Sequence, residues 1–218
     1  MKIKVCGITD SHQAAILTDL CVDYLGFIFY NKSPRFALNF LTLGQISQIP
    51  NANKVGVFVN ESLENITQIV EEAKLSMVQL HGNEDKKFIT MLREYLGDEI
   101  EIIKVIRIGN SSIEKIQAIL NLQPSAINYL LFDTDSRSFG GTGKSFDWQI
   151  LSELNIQFPL ILSGGISPEQ HLKINNLNPE PFALDINSKF EISPGIKDLT
   201  KIEHFLKIIN KQRKNEYL

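Results

Sequence analysis

In the stretch Tyr129-Leu130-Leu131-Phe132-Asp133-Thr134, the apolar run Tyr129–Phe132 reads as a buried strand that ends on a carboxylate. Its apolar residues run on without polar alternation, the pattern of a strand covered on both faces in a parallel sheet. Downstream comes the glycine loop Gly140-Gly141-Thr142-Gly143, and Phe146-Asp147-Trp148 then opens the next helical segment. An acid at the tip of a buried strand, beside a loop able to fold over it, is an arrangement suited to an active site.

Seven more apolar runs flank this one. They are Ile3–Cys6, Tyr24–Phe29, Lys54–Val59, Met77–Leu80, Glu101–Ile106, Pro159–Ser163 and Phe182–Asp185. Helical segments lie between them. Leu63, Ile66, Ile69, Val70 and Ala73 fall at helical spacing behind a cap at Asn60 or Ser62. Phe88, Leu92, Tyr95 and Leu96 share a face, the pattern recurs over Ile113–Leu120, and it returns at Ile202, Phe205, Leu206 and Ile209. A strand followed by a helix, repeated eight times, predicts an α/β fold: a single (β/α)8 TIM barrel over residues 1–218, in preference to an open doubly wound sheet. No linker-like composition divides the chain.

Composition narrows the function. A net charge of −3 argues against a nucleic-acid partner. Lys211, Arg213 and Lys214 read as the solvated end of a last helix. No apolar run is long enough to span a membrane, and the charged start Met1-Lys2-Ile3-Lys4 is unlike a signal peptide, so a cytoplasmic protein is expected. The two cysteines, Cys6 and Cys21, form neither a CxxC nor a metal-like pattern with histidine, and no metal is expected. Cys21 reads as a small buried hydrophobe.

A barrel places its chemistry at the carboxyl ends of its strands. Polar and glycine residues do gather there: Cys6-Gly7, Ser33-Pro34-Arg35, Asn60, His81-Gly82, Asp133, Ser163-Gly164-Gly165 and Asp185 with Asn187-Ser188. Gly164-Gly165 and the turn Asn187-Ser188-Lys189 follow strands seven and eight, where backbone N–H groups bind phosphate in such barrels. Cys6, at the barrel mouth, can act as base or nucleophile if a nearby cation or helix terminus lowers its thiol toward neutrality. Asp133 can serve as acid, base, metal ligand or cap. A thiolate and a protonated carboxyl facing each other would shuttle protons alpha to a carbonyl or imine. Arg35 is a candidate clamp for a carboxylate or phosphate. His81 is either a polar wall of the site or a structural hydrogen-bonder. Lys104 either points into the barrel or neutralises a buried acid.

Taken in order, Lys4-Val5-Cys6-Gly7-Ile8-Thr9, Gly26-Phe27-Ile28-Phe29, Ser33-Pro34-Arg35, Val55-Gly56-Val57-Phe58-Val59-Asn60, Val78-Gln79-Leu80-His81-Gly82, Phe132-Asp133-Thr134, Gly140-Gly141-Thr142-Gly143, Ser163-Gly164-Gly165 and Ser193-Pro194-Gly195-Ile196-Lys197-Asp198 resemble the phosphoribosylanthranilate isomerases of tryptophan biosynthesis. The resemblance implies a cofactor-free Amadori rearrangement of N-(5-phosphoribosyl)anthranilate to 1-(2-carboxyphenylamino)-1-deoxyribulose 5-phosphate, the third step from chorismate to tryptophan. It implies Asp133 as general acid, Cys6 as general base and Arg35 on the anthranilate carboxylate. Asp185 would assist at the amine or ribose, with His81, Gly141 and Gly143 also facing the substrate. Gly164, Gly165, Ser188 and Lys189 would hold the phosphate, and the glycine loop would close over the site. Three positions depart from the family pattern: Lys189 stands where glycine is usual, Gln170 where asparagine is, and Ser163 where alanine is. The expected partner is this small molecule, on a monomer or weak homodimer. The alternatives are another sugar-phosphate barrel enzyme, or a non-catalytic barrel that binds a phosphate ligand.

Overall fold

A computed structural model describes residues 1–50, 53–109, 111–134 and 146–215, with side chains up to residue 209. Eight parallel strands close into a barrel in chain order, β1 pairing with β8. They are β1 (Lys2–Cys6), β2 (Tyr24–Ile28), β3 (Lys54–Phe58), β4 (Met77–Leu80), β5 (Glu101–Ile108), β6 (Tyr129–Thr134), β7 (Leu160–Leu162) and β8 (Ala183–Ile186). Every apolar run becomes a strand. β5 and β6 extend two residues beyond the expected ends, so Asp133 lies inside β6, paired in register with Arg107 of β5.

Alternation along the strands sorts side chains between two layers. Tyr24, Val55, Met77, Ile103, Val105, Leu131, Ile161 and Ala183 pack together inside the barrel. Ile3, Val5, Leu25, Phe27, Phe132 and Leu184 belong to the larger core between strands and helices. The parity of β1 therefore turns Lys4 and Cys6 inward, and that of β6 does the same for Asp133.

The helices are α1 (Ser11–Asp19), α2 (Leu43–Gln48), α3 (Leu63–Ala73), α4 (Lys86–Leu96), α5 (Ile113–Asn121), α6 (His171–Asn175) and α7 (Leu199–Asn215). Most start on a side-chain cap: Asp10, Thr42, Ser62, Asp85 and Ser112 each accept from a backbone N–H of the first turn. Ser62, not Asn60, caps α3; Asn60 has φ +50° and accepts from Asn83 N–H instead. Between β6 and β7 the described residues carry only the 3₁₀ segment Trp148–Glu153, capped by Asp147, where a full helix was expected. After β8 a 3₁₀ turn, Ser188–Phe190, leads into the antiparallel hairpin β9 (Glu191–Ser193) and β10 (Ile196–Lys197).

Two expectations about burial fail. Tyr95 is 58% exposed, because α4 turns Ile89 and Leu92 to the core. Cys21 is exposed rather than buried, since it has φ +59° in the turn after α1 and the chain re-enters the core only at Val22.

Candidate active site

All eight strands are parallel, so their carboxyl ends open on one mouth. From β1 comes Cys6, buried among charges. Gly26 of β2 makes room for it: a Cβ there would lie 2.9 Å from Cys6 Sγ and 3.2 Å from Lys4 Nζ. Burial pushes the thiol up; the Lys4 charge opposes this, Asp185 adds to it, Lys197 opposes it, and the thiol stays above its ordinary value. The expected lowering toward neutrality is therefore absent in the free protein, because desolvation outweighs two ammonium groups.

Asp133, from β6, is 8% exposed. Burial pushes its carboxyl up to about 6, with help from the Asp185 charge and against the Thr134 N–H, Lys4 and Ser163. The Thr134 N–H donates to its Oδ1 at 2.8 Å. On the other side His81 Nε2 stands 3.5 Å from Asp133 Oδ2. Burial, reinforced by Lys4, Arg107 and Lys104, lowers His81 to about 3, so its ring is neutral and this contact is dipolar rather than ionic. Gln79 Nε2 donates to His81 Nδ1 at 3.2 Å, which leaves the ring proton on Nε2, facing Asp133.

Arg35, in the loop after β2, is buried and already paired. Its Nε donates to Glu191 Oε1 and Oε2 at 2.9 and 3.0 Å, and Nη2 donates to Oε2 at 2.6 Å. Glu191 also takes Lys197 Nζ at 2.7 Å, and Lys197 donates in turn to the Cys6 carbonyl and to Asn187 Oδ1. Burial would raise Glu191, but Arg35 and Lys197 outweigh it and hold the carboxyl below the usual range. Asp185 Oδ1 accepts from Lys4 Nζ at 2.9 Å.

Across the mouth, Gly164 and Gly165 have φ +84° and +75°, a backbone that suits glycine. A side chain at Gly164 would also meet Thr134 Oγ1 at 2.5 Å and Asp133 Oδ1 at 3.1 Å. No described residue accepts from the N–H groups of Gly164, Gly165 or Ser188. Lys189 is exposed in the turn that starts at Ser188, and its charge reaches Glu169. Among the described residues no three His, Cys, Asp or Glu side chains are grouped as a metal site.

The family model for N-(5'-phosphoribosyl)anthranilate isomerase matches residues 3–208. The chain belongs to the phosphoribosylanthranilate isomerase family. A relative from Parabacteroides distasonis with that enzyme's name is 37% identical over 213 residues, covering 96% of this chain and 93% of its own. The isomerase crystal structure from Thermus thermophilus superposes with TM-score 0.80 at 27% identity, covering 97% of this chain and 100% of its own. A further isomerase structure was solved in complex with reduced 1-(o-carboxyphenylamino)-1-deoxyribulose 5-phosphate. It gives TM-score 0.74 at 31% identity, with 95% and 97% of the two chains covered.

The isomerase barrel brings Cys6, Arg35, His81, Asp133, Gly164, Gly165, Asp185, Ser188 and Lys189 to its one mouth. Gly141 and Gly143 lie outside the described residues. Lys104 is on the outward parity of β5 and donates to Glu84 Oε2 at 2.7 Å and to the Gly82 carbonyl, so it neutralises a buried acid. Three buried charged residues at the mouth were given no role by sequence reasoning. Lys4 had a signal: a lysine inside an apolar run, two residues before Cys6, must share its face. Lys197 lay within a recognised motif without a role. Glu191 closes the pattern that follows Asp185 but had no role, because its partners are Arg35 and Lys197.

Proposed function

We propose that this isomerase rearranges N-(5-phosphoribosyl)anthranilate with Asp133 as general acid and Cys6 as general base, in one domain spanning residues 1–218. The observation that carries this reading is the Asp133 carboxyl raised to about 6 by burial, at a mouth it shares with the Cys6 thiol. A carboxyl that donates near neutral pH needs such a rise, and a bound phosphate dianion beside Gly164 would push it further.

The Asp133 carboxyl gives its proton to the ribose ring oxygen. The C1′–O4′ bond breaks as the anthranilate nitrogen lone pair forms the C1′ iminium. The Cys6 thiolate then takes the C2′ proton and the electron pair neutralises the iminium, leaving an enolamine that tautomerises to the ketone. Asp133 and Cys6 return to their starting states by proton exchange. The raised thiol makes its thiolate a strong base for this C–H bond.

Arg35 holds the anthranilate carboxylate with the donors Glu191 leaves free. Gly164, Gly165 and Ser188 offer N–H groups to the phosphate, and Lys189 adds an ammonium. Asp185 assists at the amine or ribose, and neutral His81 walls the site while donating toward Asp133. The enzyme acts on a small molecule in the cytoplasm, as a monomer or weak homodimer, without nucleic acid or membrane. Complementation of a tryptophan auxotroph that lacks this step tests the activity. So does metal-free loss of anthranilate-type fluorescence with purified protein; a protein that fails both is not this isomerase.

A further inference from the structure

One fully buried cation at the mouth has no part in the steps above. Lys4 is 1% exposed and lies two residues before Cys6 on β1, so both side chains enter the barrel. Its Nζ donates to Asp185 Oδ1 at 2.9 Å, across the register pair of β1 and β8, and its charge reaches the Cys6 thiol. The point 2.9 Å from Cys6 Sγ and 3.2 Å from Lys4 Nζ is the one Gly26 leaves empty. Burying an ammonium is unfavourable unless its donors are taken. Here one carboxylate accepts from it, and the sulfur of the proposed base lies across the hollow at Gly26.

We infer that Lys4 is a positioning residue whose charge offsets the cost of forming the Cys6 thiolate, while Asp185 balances the ammonium once the thiol has taken the substrate's proton. This rests on Cys6 being the base. Lys4 thus has two anionic partners and can favour either without leaving its place. The other charges around the thiol come from different elements. Lys197 of β10 lies on the Cys6 carbonyl, Arg35 after β2 is tied to Glu191, Asp133 stands on β6, and His81 just after β4 is neutral. Lys4 is the buried ammonium that shares with the sulfur the hollow left by Gly26.

The test is a titration of the Cys6 thiolate by its ultraviolet absorbance in the full chain, without substrate. Cys21→Ser removes the exposed thiol from every sample, and Cys6→Ser supplies the blank. Lys4→Met is expected to raise the midpoint by about one pH unit or more, a tenfold loss of thiolate. Asp185→Asn is expected to lower it, because the thiolate becomes the ammonium's only anion. A role in packing alone would not move the midpoint in opposite directions. An unchanged midpoint in Lys4→Met, or a raised one in Asp185→Asn, overturns the inference. If Lys4→Met does not fold, Asp185→Asn decides alone. The reading involves no turnover, so it stands or falls separately from the isomerase activity.

Discussion

Replacing Asp133 by asparagine should make the protein more stable at pH 7 while removing its acid. The carboxyl is raised from its ordinary 3.8 to about 6, chiefly by burial. The folded state therefore holds its proton more tightly than the unfolded chain does. Below pH 3.8 both states are protonated and burial carries no ionic penalty. As pH climbs through about 6 the folded state must ionise a buried group, and stability falls. A rise of roughly two pH units at about 1.4 kcal/mol each gives about 3 kcal/mol lost at pH 7. Asparagine keeps the shape and the Oδ1 acceptor for the Thr134 N–H, and it has no charge to bury. Asp133→Asn should recover much of that stability, raising Tm by several degrees at pH 7 for a chain of this size. At pH 4 the gain should vanish. His81, lowered to about 3, also loses stability as pH falls from 6.5 toward 3, but it is present in both proteins and largely cancels. Thermal and urea melts of both proteins from pH 4 to pH 8 measure this. An asparagine variant that is less stable at pH 7, or whose gain is the same at every pH, would refute the reasoning.

Three further outcomes follow from the same geometry. Gly26→Ala would push a Cβ to 2.9 Å from Cys6 Sγ and 3.0 Å from Cys6 Cα, so kcat should fall at least tenfold and stability by about 1–3 kcal/mol, read by turnover and melts. Glu191→Gln leaves Lys197 buried without its carboxylate and frees Arg35; it should destabilise by about 3–5 kcal/mol and raise KM, checked by urea melts and initial rates. Lys189→Ala should weaken competitive inhibition by inorganic phosphate several-fold, since one exposed ammonium near an anion contributes about 1 kcal/mol, and leave kcat nearly unchanged.

The barrel was legible because strands covered on both faces carry uninterrupted apolar runs, and each run became a strand. The end of β6 was harder to read. Thr134 is polar and Asp133 charged, yet both stay in the ladder because parity turns Asp133 into a mouth where polar side chains meet. Periodicity failed at Tyr95, whose ring reaches solvent while Ile89 takes the core. It failed again at Cys21, which the turn after α1 leaves at the surface. For the site, residue types at strand ends were enough to place Cys6, Arg35, Asp133 and Gly164 at the mouth. Their state was not. Whether a buried thiol rises or falls depends on desolvation against Lys4, Asp185 and Lys197, and two of these reach it from far along the chain. Arg35 read as a free clamp because its partner Glu191 sits 156 residues away.

The division of labour between acid and base is tested most directly by single-turnover conversion of N-(5-phosphoribosyl)anthranilate in Asp133→Asn and Cys6→Ser, with binding of a reduced product analogue measured alongside. Each variant should bind the analogue nearly as the native chain does, yet convert substrate about 10²–10⁴-fold more slowly. Conversion at the native rate in either variant would contradict the roles given to these two residues.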